Sequence, residues 1–293
     1  MNPFTFLPVA ATLPLAFALG RLRVPLHPAW TARILVTVAA TATTSAVGTV
    51  LFVAVNYGAT LAPGTADRLP EWMLFGDDQP VPAELGVPAL LLFACACVAI
   101  AFVLVRSARA TRRARRLARG VLDVDEPLAV AVPGRRDGGV LVSRGLLRLL
   151  DGPELAVVFR HEESHLRHAH HRYLLIGALT AAVLPPLRPL DARLRLALER
   201  WADEDTAAAT GDRALVARTI AKVALAAAPA GGPDGLPSFA QAQTVERVRA
   251  LLTAPPRSNS VTGPVALLSS GLTTGPLAAA ALQLDQALGL PLL

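Results

Sequence analysis

Charge is what this chain has least of. Only 17% of its 293 residues are charged against 53% hydrophobic, and its mean hydropathy is +0.46. Soluble domains carry about a quarter charged residues, so an ordinary water-soluble globule is excluded and an integral membrane protein is expected. Cysteine is almost missing as well. Cys95 and Cys97 are the two present, both in one apolar run; two apart on a helix they turn to different sides, which points to packing and to neither a disulfide nor a cysteine metal site. Aromatic residues are absent from the one dense basic run, 106–119, which holds seven arginines and no acid. Without rings for stacking, and directly behind an apolar run, it reads as a juxtamembrane anchor on lipid. Direct nucleic-acid binding is not expected, although the net charge is +6.

Long apolar runs are what the chain does have. Residues 3–20, 34–55 and 85–105 are uncharged and close to the ~20 residues that a bilayer core requires. The first ends in Arg21 and Arg23 with no charge ahead of it, which is the wrong polarity for a signal peptide. Between the second and third lie Asp67, Glu71, Asp77, Asp78 and Glu84 against Arg68 alone, while the arginines follow the third. The positive-inside rule then places 56–84 outside and everything from 106 onward in the cytoplasm. Residues 261–293 turn apolar again, with 265–282 expected as a last span.

Against that background 151–171 stands out, with His161-Glu162-Glu163-Ser164-His165 at its centre. Asp151 and Glu154 form the pattern of a capping box, Pro153 suits a first turn, and Leu155, Val158 and Phe159 have the spacing of a packed face, so a helix is expected from about residue 152. On that helix His161 and His165 lie one turn apart on one face, where both imidazoles can bind one Zn²⁺, with Glu162 beside them as general base. Two imidazoles and a third protein ligand leave a coordination position open to water, which is the layout of a zinc hydrolase. His168, seven residues after His161, is a competing ligand; His170 and His171 read as interfacial, and Glu163 points away.

The third ligand is sought further on. Glu199 and Asp203 sit one turn apart on a helix expected from Asp191. Glu199 is the candidate ligand and Asp203 the carboxylate that orients a ligand imidazole, a plain capping or salt-bridge role being its alternative. Glu204 and Asp205 read as solvent-facing. The apolar stretch 173–187 is short and broken by Pro185 and Pro186. A full crossing there would put His161 and Glu199 on opposite sides of the membrane, so the stretch should dip and return or pack as a buried helix. Upstream, 128–132 and 139–142 are short β-rich runs around a turn-rich connection, followed by a short helix at 144–150. The hairpin is either structural or an edge that holds an extended substrate. Downstream come a helix over 212–228, a flexible connection at 229–237 and a last cytosolic helix over 239–252, whose Arg247 and Arg249 read as surface ion-pair residues or donors to a developing oxyanion.

These pieces together, Val142-Ser-Arg-Gly-Leu-Leu147, Glu154-Leu, the His161 to His165 motif, the Pro-containing apolar stretch and Glu199-Arg-Trp-Ala-Asp203, resemble the BlaR/MecR-type family of integral-membrane zinc metallopeptidases. The CAAX prenyl protease and membrane heat-shock protease families share the motif logic. The resemblance covers roughly residues 85–255. It implies a mainly α, polytopic membrane gluzincin with a small β-hairpin: a transmembrane region over 1–105, a cytosolic peptidase domain over 106–257, and a hydrophobic tail. It implies His161, His165 and Glu199 as zinc ligands and Glu162 as catalytic base. It also implies a protein substrate such as a cytosolic transcriptional repressor in a signalling pathway. The receptor members carry a large extracellular penicillin-binding domain after the peptidase part; here only a short apolar tail follows Asn259, so β-lactam sensing is not expected. A signal transducer or membrane scaffold that binds zinc with little general peptidase activity is the alternative function.

Overall fold

The computed structural model describes residues 3–22, 24–62, 64, 80–117, 121–134, 138–227 and 239–270. The chain is mainly helical, with one small sheet. A 3₁₀ turn at Pro3–Phe6 leads into α1 (Leu7–Arg21), and α2 (Pro28–Leu61) follows after a short link. His27 caps α2, its Nδ1 accepting from Ala29 N–H at 3.2 Å. Thr37, Thr41 and Thr43 return their hydroxyl protons to carbonyls one turn back, which satisfies them inside an apolar helix. α3 (Ala83–Leu117) runs back along α2, and Gly86 lets it come close: a Cβ there would lie 2.0 Å from the Tyr57 ring. The helix continues through the arginine run to Leu117, so the basic segment is an extension of the apolar one.

α2 and α3 are both long and apolar enough to cross a membrane; α1 is apolar but shorter. Much of α3 is uncovered by protein, with Leu91, Leu92, Val98 and Phe102 all more than half exposed. Of the stretch expected as a last span, 265–282, residues 265–270 are helical, within a helix over 262–270, and the remainder lies outside the described residues. So do most of the 56–84 loop and all of the 229–237 connection.

The sheet is a two-stranded antiparallel hairpin, β1 (Ala129–Val132) with β2 (Gly139–Val142), in the register Ala129↔Val142 to Val132↔Gly139. Ser143 ends it and caps α4 (Arg144–Leu149). α5 (Gly152–Arg167) opens with the expected capping box, Asp151 accepting from Glu154 N–H at 2.9 Å and Glu154 from Asp151 N–H at 3.0 Å. It ends where Ala169 takes a left-handed conformation, φ 51°, and a new helix α6 (His170–Val183) sets off.

α6 accounts for the short apolar stretch. It packs against α2 and α3, with the Thr43 and Thr180 hydroxyls 2.8 Å apart. A 3₁₀ turn at Pro185–Leu187 then reverses the chain into α7 (Arg188–Thr210), three residues earlier than the sequence suggests because Pro189 fits a first turn. α6 and α7 lie close enough at Gly177 that a Cβ would meet the Asp191 carboxylate at 2.3 Å. The chain therefore goes out and comes back, which returns Glu199 to the side of His161. α7 ends at Gly211, whose φ of 69° suits glycine. Asp212 caps α8 (Arg213–Ala226), and α9 (Phe239–Leu252) closes the group.

Two cores meet at α7. One face, Leu190, Leu194, Leu198 and Trp201, is buried with Ala16 of α1 and Leu35, Val38 and Ala42 of α2. Further along, Ala207 joins Val157 of α5, Val216 of α8 and Leu251 of α9. Each fully buried Leu or Val contributes roughly 1.5–3 kcal/mol.

Candidate metal centre

α5 supplies two imidazoles and α7 a carboxylate. His161 Nε2 and His165 Nε2 are 3.1 Å apart, and Glu199 approaches with Oε2 3.5 Å from the first and Oε1 3.5 Å from the second. The three ligand atoms lie within 4.8 Å of one another. Two nitrogens each about 2.05 Å from a tetrahedral zinc would be roughly 3.3 Å apart, so the observed spacing fits that ion with a small adjustment. The fit is strengthened by what the outer nitrogens do. His161 Nδ1 is 3.1 Å from Asp203 Oδ1, and His165 Nδ1 is 2.7 Å from His170 Nδ1. With each Nδ1 engaged, both Nε2 lone pairs are free to face the common point.

Asp203 is itself held. The Arg247 guanidinium grips it at 2.8 Å from Nε to Oδ2 and 2.8 Å from Nη2 to Oδ1, and its Nη1 reaches Glu199 Oε2 at 2.9 Å. Arg247 is thus a partly buried anchor for both carboxylates, not the surface ion pair that its helix suggested. Arg249 stays exposed.

Three other expectations are corrected. His168 does not compete for the metal: α5 stops at Arg167, and beyond that break His168 Nε2 turns to Asp205 Oδ2 at 2.8 Å. His170 is fully buried rather than interfacial, and it rests against Trp201 with ring centroids 4.8 Å apart; His171 is exposed. Glu204 and Asp205 are not solvent-facing. Glu204 pairs with Arg213, and Asp205 accepts from the buried Ser164 hydroxyl at 2.7 Å, which fastens α5 to α7. Glu163 does point away, pairing with Arg167 at 3.4 Å.

Electrostatics separate the two imidazoles. Burial pulls both down, but the Asp203 and Glu199 carboxylates outweigh it at His161 and push that ring up to about 10. At His165 burial prevails, helped by the charge on His161, and the ring falls to about 4. Burial raises the Glu199 and Asp203 carboxyls, yet Glu199 is held well below the usual range by His161 and Arg247, and Asp203 is lowered chiefly by Arg247. Glu162 goes the other way: burial, with the nearby charge of Glu199, raises it against the opposing pull of His161 and an N–H bond from Ala131. A carboxylate with a raised pKa is a stronger base near neutral pH.

The site opens on a cleft of about 270 Å³, bounded by Ala129 of β1, Val157 and His161 of α5, Val216 and Ile220 of α8, and Arg247 of α9. Leu128 carbonyl accepts from Ser143 N–H at 2.9 Å, so 128, 130 and 132 face β2 and the backbone groups of Ala129 and Ala131 turn outward. Ala131 N–H meets Glu162 on that side, which places Ala129 on the open edge beside the metal group.

Residues 104–188 match the family model described as Peptidase family M48. Peptidases of that family depend on a metal, zinc, and the match supports a metallopeptidase, hydrolase function for this chain. It spans the hairpin and both histidines and ends before Glu199. No curated protein and no solved structure matches the chain.

Proposed function

We propose that the chain is a membrane-embedded zinc endopeptidase with its catalytic face in the cytoplasm, acting on a protein substrate such as a transcriptional repressor within a signalling pathway. The observation that carries the catalytic part is the convergence of His161 Nε2, His165 Nε2 and a Glu199 oxygen within 4.8 Å, with Glu162 next to the first. The membrane part rests on α2 and α3, both long and apolar, and on the bare apolar flank of α3. Its orientation rests on the arginines that end α3.

Zinc held by these three side chains would supply Lewis acidity to a peptide carbonyl and to water. The chain's own groups do the rest. Ala129 on the outer edge of β1 offers an N–H and a carbonyl to an extended substrate, as in strand addition. Glu162, poised by burial, takes the proton from attacking water and passes it to the departing amine nitrogen. Asp203 keeps His161 in the orientation in which Nε2 faces the metal, and Arg247 fixes Asp203 and Glu199 together.

The test is zinc content beside cleavage of casein by detergent-purified protein. Wild type is expected to hold about one zinc per chain; Glu162→Gln keeps it and loses cleavage by at least about a hundredfold, whereas Glu199→Ala loses the metal. Full cleavage by Glu162→Gln removes that residue from the base role.

A further inference from the structure

Beside the metal group lies a second, larger cavity of about 800 Å³, between the end of α1, the start of α2, α7 and α9. Arg21, Arg188, Arg193 and Arg200 line it against one carboxylate, Glu246. The Nε of Arg200 is buried and has no hydrogen-bond partner among the described residues. A buried guanidinium donor without an acceptor is costly, and Arg200 brings one to a cavity that Arg21, Arg188 and Arg193 also line, Arg193 with one donor spent on the Leu19 carbonyl at 2.7 Å; such a cluster of guanidinium groups suits a singly or doubly charged oxyanion, above all a phosphate.

A groove of about 320 Å³ continues from it, sharing Val24, Leu26, Thr31 and Arg193. Its walls are mostly apolar, Leu15 and Leu19 of α1 and Ile34 and Leu35 of α2, with Ala266, Ser269 and Ser270 of the helix at 262–270 also lining it. A basic cavity opening into an apolar groove, at the end shared by two apolar helices, has the shape and polarity of one kind of molecule. We propose that the pair of cavities binds one anionic phospholipid, its phosphate among Arg21, Arg188 and Arg200 and an acyl chain along Leu15, Leu19 and Ile34. Free phosphate would satisfy the arginines but leave the groove without an occupant. The site borders the metal group on two helices, since Arg200 follows Glu199 on α7 and Glu246 precedes Arg247 on α9.

This rests on the membrane reading above but not on the peptidase reading, so the readout is lipid and not cleavage. The full chain, delipidated in dodecylmaltoside, is titrated with phosphatidylglycerol or phosphatidylcholine and the adducts are counted by native mass spectrometry. One phosphatidylglycerol is expected to stay on wild type under conditions that strip phosphatidylcholine. Arg21→Gln with Arg188→Gln weakens it about tenfold or more, as loss of two phosphate-facing charges requires, while Arg112→Gln with Arg113→Gln, in the basic run of α3, leaves it unchanged. Leu15→Trp, which fills the groove, weakens it as well. Equal weakening by both arginine pairs means surface attraction only and overturns the site. Displacement of the lipid by millimolar inorganic phosphate overturns the lipid in favour of a soluble phosphate-bearing ligand. A chain that stays in solution without detergent fails the membrane reading itself, a result distinct from either.

Discussion

At His170 a buried imidazole has one job open to it. Its Nδ1 lies 2.7 Å from His165 Nδ1 and its Nε2 has no partner among the described residues, so its polar contact is spent on orienting the imidazole of a proposed metal ligand. Asp203 does the same for His161, but with a charge, and that difference sets a pH dependence. The metal-free His161 stays protonated up to about pH 10. Its proton stabilises the metal-free fold fully below the ordinary histidine value near 6.5, and that contribution is lost as pH rises through about 10. Zinc must displace the same proton, so apparent zinc affinity, read by competition with a chelator, should rise about tenfold per unit between pH 7 and 9. His170→Ala should lower it about 10–100-fold at every pH without changing the slope; unchanged affinity removes His170 from this role. His170 was not legible as a site residue, and Arg247 was read as a surface ion-pair residue or an oxyanion donor, not as the anchor of two carboxylates. The left-handed Ala169 puts His170 out of helical register with His165, and a lone arginine in a charged helix has no periodicity that marks it as buried.

The helices that carry the motif announce themselves through local chemistry. Asp151, Pro153 and Glu154 fix where α5 begins, and one turn of helix suffices to pair His161 with His165, so this half of the site could be read directly. Bringing Glu199 to them is a tertiary event. It depends on α6 turning back at Pro185–Leu187, and the sequence offered only the argument that a full crossing would forbid it. The hairpin was legible as strands, with an edge for substrate as one of two readings, but which backbone groups face outward is settled by register. That register yields a prediction for β1. Ala129 turns its N–H away from β2, so Ala129→Pro removes an outward donor and spares the ladder. Zinc content should be unchanged and KM for an extended peptide should rise about tenfold, in keeping with one lost hydrogen bond of ~1.5 kcal/mol. An unaltered KM would take substrate off this edge.

For the molecule as a whole, composition alone pointed to a membrane protein, and the expected spans at 34–55 and 85–105 fall inside α2 and α3. Sidedness can be measured. In a Cys95→Ala, Cys97→Ala background, a cysteine at Asp77 should react with an impermeant maleimide on intact cells, and one at Arg257 only after the cells are opened. The reverse pattern would invert the orientation. What composition could not convey is that 1–105 and 106–257 share a core. Leu190, Leu194 and Leu198 are each at most 1% exposed, and their cover comes from α1 and α2 together with α6, while Glu199 and Asp203 on the same helix face the metal group. Cutting the chain before residue 106 would hand those leucines to water. The portion that bears the histidine motif is therefore not a detachable module: for one flank of its central helix, the first two helices are the solvent in which it folds.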